Sequence, residues 1–175
     1  MTDEPFYFQD EMRFGTRTEL GRRWTACGHR PTGEQIIGYE YGYLSAALNP
    51  ASGELFALLL PDMTVESFQA FVNEFVKFVG QETFVRLITD GAAAHRSTRL
   101  KINDELTIEH LPPYSPELNP VERLFKELRA VLKNCVFESL KAVEAAVIKA
   151  IEPFLKDGSR VKKLTFYGWL HTAPT

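Results

Sequence analysis

The stretch Leu111–Leu128 reads LPPYSPELNPVERLFKEL. Pro112, Pro113, Pro116 and Pro120 each fix φ and restrict the residue before them, so the first half is stiff, extended chain with few conformations to lose on folding. At Pro120 the pattern changes. Val121, Leu124, Phe125, Leu128, Val131 and Leu132 recur at helical spacing and predict a helix over about Pro120–Lys133 with these residues as its buried stripe. Asn119 suits the N-cap, Pro120 the first helical position and Glu122 the third. Glu122 therefore has two readings. It closes a capping box, or it is a carboxylate that the rigid lead-in aims at a site. The two are compatible, because a first-turn side chain is held in a fixed direction and its charge suits the helix dipole.

The segments before this stretch supply strands. PFYFQD (Pro5–Asp10) reads as a short buried strand ending on an acid, followed by a loop carrying Arg13, Arg17, Arg22 and Arg23. Tyr39–Leu48 and Glu54–Leu60 flank the turn NPASG and predict a hairpin. Phe68, Phe71, Val72, Phe75, Val76 and Val79 then form a helical stripe, with Thr64 able to cap it and Gly80 to stop it. TFVRLITD is a strand closing on Asp90, GAAAHRSTRLKIN reads as a short helix, and LTIEHLPP is another strand. A last helix is expected over Leu140–Leu155, bent or broken at Pro153, and the aromatic tail VKKLTFYGWLHT fits no element clearly. Three strands come first and later ones arrive through helices. The expectation is one α/β domain over residues 1–175, a mixed five-stranded sheet with helices on both faces.

This order suggests chemistry. If the first and fourth strands lie side by side and parallel, their C-terminal ends bring Asp10 and Asp90 together across 80 residues of sequence. A helix starting nearby would add Glu122. Three converging carboxylates repel one another unless cations sit among them, and Mg²⁺ or Mn²⁺ favours such oxygen ligands while leaving room for phosphate oxygens. The pattern points to metal-dependent phosphoryl chemistry. Each acid also has a structural reading. Asp10 lies in an acidic segment, Asp90 precedes Gly91 and fits a turn, and Glu122 fits a cap.

Composition bounds the rest. With 20 Lys+Arg against 23 Asp+Glu the net charge is −3, which weighs against a surface basic all over and leaves a local basic groove open. On the predicted helix, positions 122, 126, 129 and 133 share a face, so Arg123, Lys126, Arg129 and Lys133 are either a solvated face or a phosphate track beside Glu122. Arg13, Arg17, Arg22, Arg23 and Arg30 offer a second track. His95 reads as a surface or helix-start histidine, or as a phosphate contact or proton relay; His110 reads as structural. No apolar run approaches the ~20 residues of a membrane span, and Cys27 and Cys135 read as reduced thiols, so a cytoplasmic protein is expected.

LPPYSPELNPVERLFKELR resembles the signature of the DDE-superfamily transposases, specifically the mariner-like bacterial insertion-sequence group. YFQDEMRFG is similar to their first acidic strand and LITDGAAAHRS to their second, in the right order. The spacing of 32 from Asp90 to Glu122 is close to that of the group. The resemblance implies a ribonuclease-H-like fold and a catalytic, metal-binding triad of Asp10, Asp90 and Glu122 holding two Mg²⁺ ions, for which Mn²⁺ can substitute. It implies cleavage and strand transfer of double-stranded DNA and a homodimer on that DNA; beside such a triad, Arg13, His95, Arg123, Lys126, Arg129 and Lys133 are the expected DNA contacts. It also implies a helix-turn-helix region ahead of the catalytic domain, which this chain, starting almost at the first acidic strand, is expected to lack. Gly91 departs from the family pattern, which has Asn there. A catalytically silent DNA- or protein-binding remnant is the alternative.

Overall fold

The computed structural model describes residues 4–80 and 82–167. Five strands form one sheet: β1 (Phe6–Gly15), β2 (Tyr41–Leu48), β3 (Leu55–Leu60), β4 (Val85–Thr89) and β5 (Leu106–His110). The spatial order is β3-β2-β1-β4-β5. β1 pairs antiparallel with β2, and β2 with β3; β1 pairs parallel with β4, and β4 with β5. The helices are α1 (Val65–Val79), α2 (Val121–Leu132), α3 (Leu140–Lys156) and α4 (Gly158–Thr165), with a 3₁₀ turn at Pro116–Leu118.

Strand alternation divides β1 between two cores. Phe8, Met12 and Phe14 face α2, α3 and α4, where they bury against Val121, Leu124, Phe125, Leu128, Val143, Val147, Ile151 and Val161. Tyr7 faces the other side with Ala47, Leu60 and Leu87, against Phe68, Phe71, Val72 and Phe75 of α1. Each such side chain contributes about 1.5–3 kcal/mol by leaving water. A slip of one residue in β1 would exchange these faces, so the register, and with it the side on which Asp10 emerges, is strongly fixed. α1 begins as expected, with the Thr64 hydroxyl accepting the Ser67 N–H at 3.3 Å, and ends at Gly80, whose φ of +95° favours glycine.

Several expectations are corrected. β1 does not end at Asp10 but runs on to Gly15, because β2 pairs with it from Phe8 to Gly15. Arg13 is thus a strand residue, and the loop proper is residues 16–40. No helix forms over 91–103. Asp90 Oδ1 takes the Ala92 N–H, and single turns follow at His95, Ser97 and Leu100 in a Gly-, Ser- and Thr-containing stretch. α3 continues through Pro153, since Ile151 and Phe154 on either side pack into the core and Pro153 lies in the last turns. Val131 is 61% exposed and is not part of the α2 stripe. Of the unassigned tail, Val161–Thr165 belongs to α4, and residues 168–175 lie outside the described residues.

Candidate active site

The β1–β4 pairing covers only Phe6–Phe8 against Arg86–Ile88, after which β4 ends at Thr89 and β1 runs on paired with β2. Asp10 lies just past this divergence, on the α2 side of the sheet by strand alternation, and Asp90 follows the last residue of β4. The parallel neighbours expected from the sequence are therefore present, with Asp10 in mid-strand.

Asn119 joins the third acid to this point. It is 2% exposed, and its side-chain N–H donates to the Gln9 carbonyl of β1 at 3.0 Å while its Oδ1 accepts the Val121 N–H at 3.1 Å. One amide thus caps α2 and ties its start to the residue before Asp10. Pro120 already has helical φ and ψ, so Asn119 is the working cap. Glu122 takes no part in capping: the Asn119 N–H goes to Pro116 O, and the Glu122 carboxylate accepts from Arg129 Nη1 at 3.3 Å.

Asp10, Asp90 and Glu122 line one cavity of about 180 Å³, walled by Leu111, Pro112, Tyr114 and Pro116 of the proline-rich connection. Burial pushes the Asp10 carboxyl up to about 7; the Glu11 N–H on its Oδ1 opposes this, and the charges of Glu122, Glu11 and Asp90 add to it. Asp90 is held below the usual carboxylate range, first by its hydrogen bond from His95, against partial burial, and then by the Ala92 N–H and the charges of His95 and His110. The cavity thus pairs an acid that resists ionising with one fixed in its ionised form.

Among the described residues, no three His, Cys, Asp or Glu side chains already stand as a ligand cluster. The donor chemistry nevertheless fits a hard divalent cation. The three groups are all carboxylates, they share a cavity, and the charges of Glu122, Glu11 and Asp90, which add to the effect of burial on Asp10, are ones a cation would neutralise.

A larger groove of about 570 Å³ begins at Glu122 and Pro116 and runs along α2 past Arg123, Lys126, Arg129 and Lys133 to Tyr167. Arg123 is engaged in the fold, donating to Leu164 O at 3.2 Å and stacking 3.9 Å above Tyr167. Lys126 and Lys133 are exposed. Arg13 lies 4.0 Å over the Tyr41 ring in a separate groove of about 510 Å³ that also takes in Arg17 and Tyr39. His95 is not the surface or phosphate-contacting residue expected. It is 4% exposed, Nδ1 lies 2.7 Å from Asp90 Oδ1, Nε2 lies 3.2 Å from Glu11 Oε1, and its ring packs 4.2 Å from Phe68. Burial works to lower its pKa, but the hydrogen bonds it donates to Asp90 and Glu11, with the charges of both, outweigh this and lift it to about 9. At Gly91 an added Cβ would come within 2.6 Å of the Arg96 guanidinium, so an Asn there would have to displace that flexible arm.

A family model for the DDE superfamily endonucleases matches residues 5–144. An uncharacterized protein of Sinorhizobium fredii, y4pE/y4sA, is 29% identical over 75% of this chain and 98% of its own length. An uncharacterized 39 kDa protein of insertion element IS630 from Shigella sonnei is 24% identical over 87% of this chain, which spans 47% of that protein. Among solved structures, a pre-cleavage Mos1 transpososome matches with a TM-score of 0.63 at 13% identity, covering 94% of this chain and 57% of the other. The mariner Mos1 paired-end complex with Mg matches at 0.62 and 17% identity, over 91% of this chain and 52% of the other. The mixed sheet with its flanking helices is the ribonuclease-H-like fold of these transposase domains.

Proposed function

The chain belongs to the DDE superfamily endonucleases, and from that membership we propose that it is the catalytic domain of a DNA transposase of the mariner-like bacterial insertion-sequence group. It cleaves DNA strands at the element's ends and joins the resulting 3′-hydroxyl to target DNA, working as a homodimer on double-stranded DNA. The observation that carries this reading is the meeting of Asp10, Asp90 and Glu122 in one cavity that opens beside a basic groove. Asp10, Asp90 and Glu122 are the residues that would hold divalent cations, Mg²⁺ or Mn²⁺. Two such ions, when bound, supply positive charge that stabilises the attacking and leaving oxygens of a phosphodiester.

The chain's own residues do the rest. Asn119 and the prolines fix where α2 starts, and so where Glu122 stands relative to Asp10. Lys126, Arg129 and Lys133, with Arg123 held by Tyr167 and Leu164, lay a run of positive charge along which a DNA backbone is positioned without being read. Arg13 contributes from the far end of β1.

The test is cleavage of plasmid DNA, and joining of an oligonucleotide with a free 3′-hydroxyl, with and without Mg²⁺ or Mn²⁺. The parent should cut and join only with the cation. Asp10→Asn and Glu122→Gln should bind DNA and do neither. A parent that binds DNA yet never cuts it under either cation would instead favour a silent DNA-binding domain.

A further inference from the structure

Asp10 and Glu11 are neighbours in β1 and therefore leave opposite faces of the sheet. Asp10 emerges toward α2 and Glu11 toward α1, where no part of the proposed chemistry lies. Yet Glu11 is no surface acid. Its side chain is 5% exposed, Oε1 accepts from Gln9 Nε2 at 2.5 Å and from Ser45 Oγ at 3.4 Å, and Oε2 is buried with no hydrogen-bond partner among the described residues. Such an acid costs stability unless it is paired. Its pairing is His95, which reaches Glu11 with one ring nitrogen and Asp90 Oδ1 with the other. The imidazole is a bridge between β1 and the end of β4, set where the two strands part.

This bridge has a consequence for Asp90. Its Oδ1 is already committed twice, to His95 Nδ1 at 2.7 Å and to the Ala92 N–H at 3.0 Å. The ring's orientation is set on both sides, because Glu11 holds its far nitrogen and the Phe68 ring lies 4.2 Å from its centroid. Half of the Asp90 side chain remains exposed toward the cavity. A carboxylate with one oxygen fixed by a buried donor offers the other in a single direction. That is how outer groups orient a metal-binding side chain.

We propose that Glu11 and His95 are positioning residues that act from the opposite face of the sheet to hold Asp90 ready for a divalent cation. The inference rests on the function proposed above. Neither side chain touches substrate; Glu11 orients His95 and His95 orients Asp90. The run Asp10-Glu11 thus serves one site from both faces of one strand.

Glu11→Gln and His95→Gln, each compared with the parent, test this. Both variants should bind DNA in EDTA with the parental Kd. With Mg²⁺, kcat for cleavage should fall about 10- to 100-fold with KM for DNA little changed, and the Mg²⁺ midpoint should rise by a similar factor. Glu11→Gln should be the milder, since its amide oxygen can still accept from the ring. A purely structural bridge would lower Tm and leave the Mg²⁺ midpoint where it was, and that result overturns the inference. A second readout needs neither variants nor activity. In ¹⁵N-histidine-labelled parent protein, Mg²⁺ should shift the buried His95 ring resonances with the same midpoint as cleavage. Resonances that stay still at saturating Mg²⁺ overturn the inference even if both variants fail to fold. A parent that neither cleaves DNA nor responds to Mg²⁺ overturns the proposed function, and this inference with it.

Discussion

Glu122 shows how one residue can satisfy two readings from sequence and structure can separate them. Its position in the first turn suited a capping box, but its carboxylate pairs with Arg129 and the capping falls to Asn119. The ion pair is more than one-third exposed on both sides and contributes at most about 0.5 kcal/mol. Glu122→Gln should therefore melt within a degree or two of the parent while losing cation-dependent cleavage; retained cleavage would remove Glu122 from the site. Asn119→Ala should cost more, about 1–2 kcal/mol, because it removes the cap and the bond to Gln9 O together. Urea unfolding checks this, and a loss below a few tenths of a kcal/mol would mean that the amide does not set the register of α2. His95 makes a pH prediction. Its folded pKa is raised from 6.5 to about 9, so its stabilisation is fully present below pH 6.5 and is lost as pH rises through 9. The parent should lose stability across that window and His95→Gln should not. Asn119 was legible as a cap but not as a tie to β1, and Glu11 was missed entirely. The available signal was the Asp10-Glu11 pair itself, which strand alternation sends to opposite faces.

Among the elements, those with a strong apolar period were legible. The stripes of α1 and α2 are buried as the spacing predicts, apart from Val131, which is exposed, and Val76 and Val79, which are half-buried. The failures lie where side chains compete with the backbone. Asp90 and His95 use their hydrogen bonds on each other and on local N–H groups, and the chain after β4 winds into turns instead of a helix. The end of β1 was hidden because its partner is β2, beyond the long 16–40 loop, and no local pattern announces such pairing. The connection from Pro112 to Pro120 contains Tyr114, fully exposed on the cavity wall with φ of +58°. A non-glycine residue there is strained, so Tyr114→Gly should leave stability unchanged or slightly raised despite the lost side chain. A clear drop in Tm would show the ring to be packed. The basic face of α2 is tested by salt. Replacing Lys126 and Arg129 with Ala should reduce the slope of log K against log salt by roughly one per lost phosphate contact, and an unchanged slope would make the face merely solvated.

The whole molecule is a sheet whose two faces do different work. The α2 face carries Asp10 and Glu122 above a core shared with α3 and α4, while the α1 face carries Glu11 and His95 against Phe68. This arrangement was legible in outline, because the order of strands and helices already predicted a mixed sheet with Asp10 and Asp90 on adjacent parallel strands. The grooves were not, since they depend on how the loops and the C-terminal helices close over the sheet. Without a cation, the raised Asp10 pKa means the folded protein holds a proton up to about pH 7 that the unfolded chain releases near 3.8, so this group's contribution falls as pH rises between those values. Mg²⁺ binds the folded arrangement and should raise Tm with concentration, more at pH 8 than at pH 5. The central claim, that Asp10, Asp90 and Glu122 form one cation site, is tested most directly by anomalous diffraction from crystals soaked in millimolar Mn²⁺. Two peaks about 4 Å apart are expected among these three carboxylates, with Glu122 released from Arg129. Mn²⁺ bound only at other surface carboxylates, with Glu122 still paired to Arg129, would contradict it.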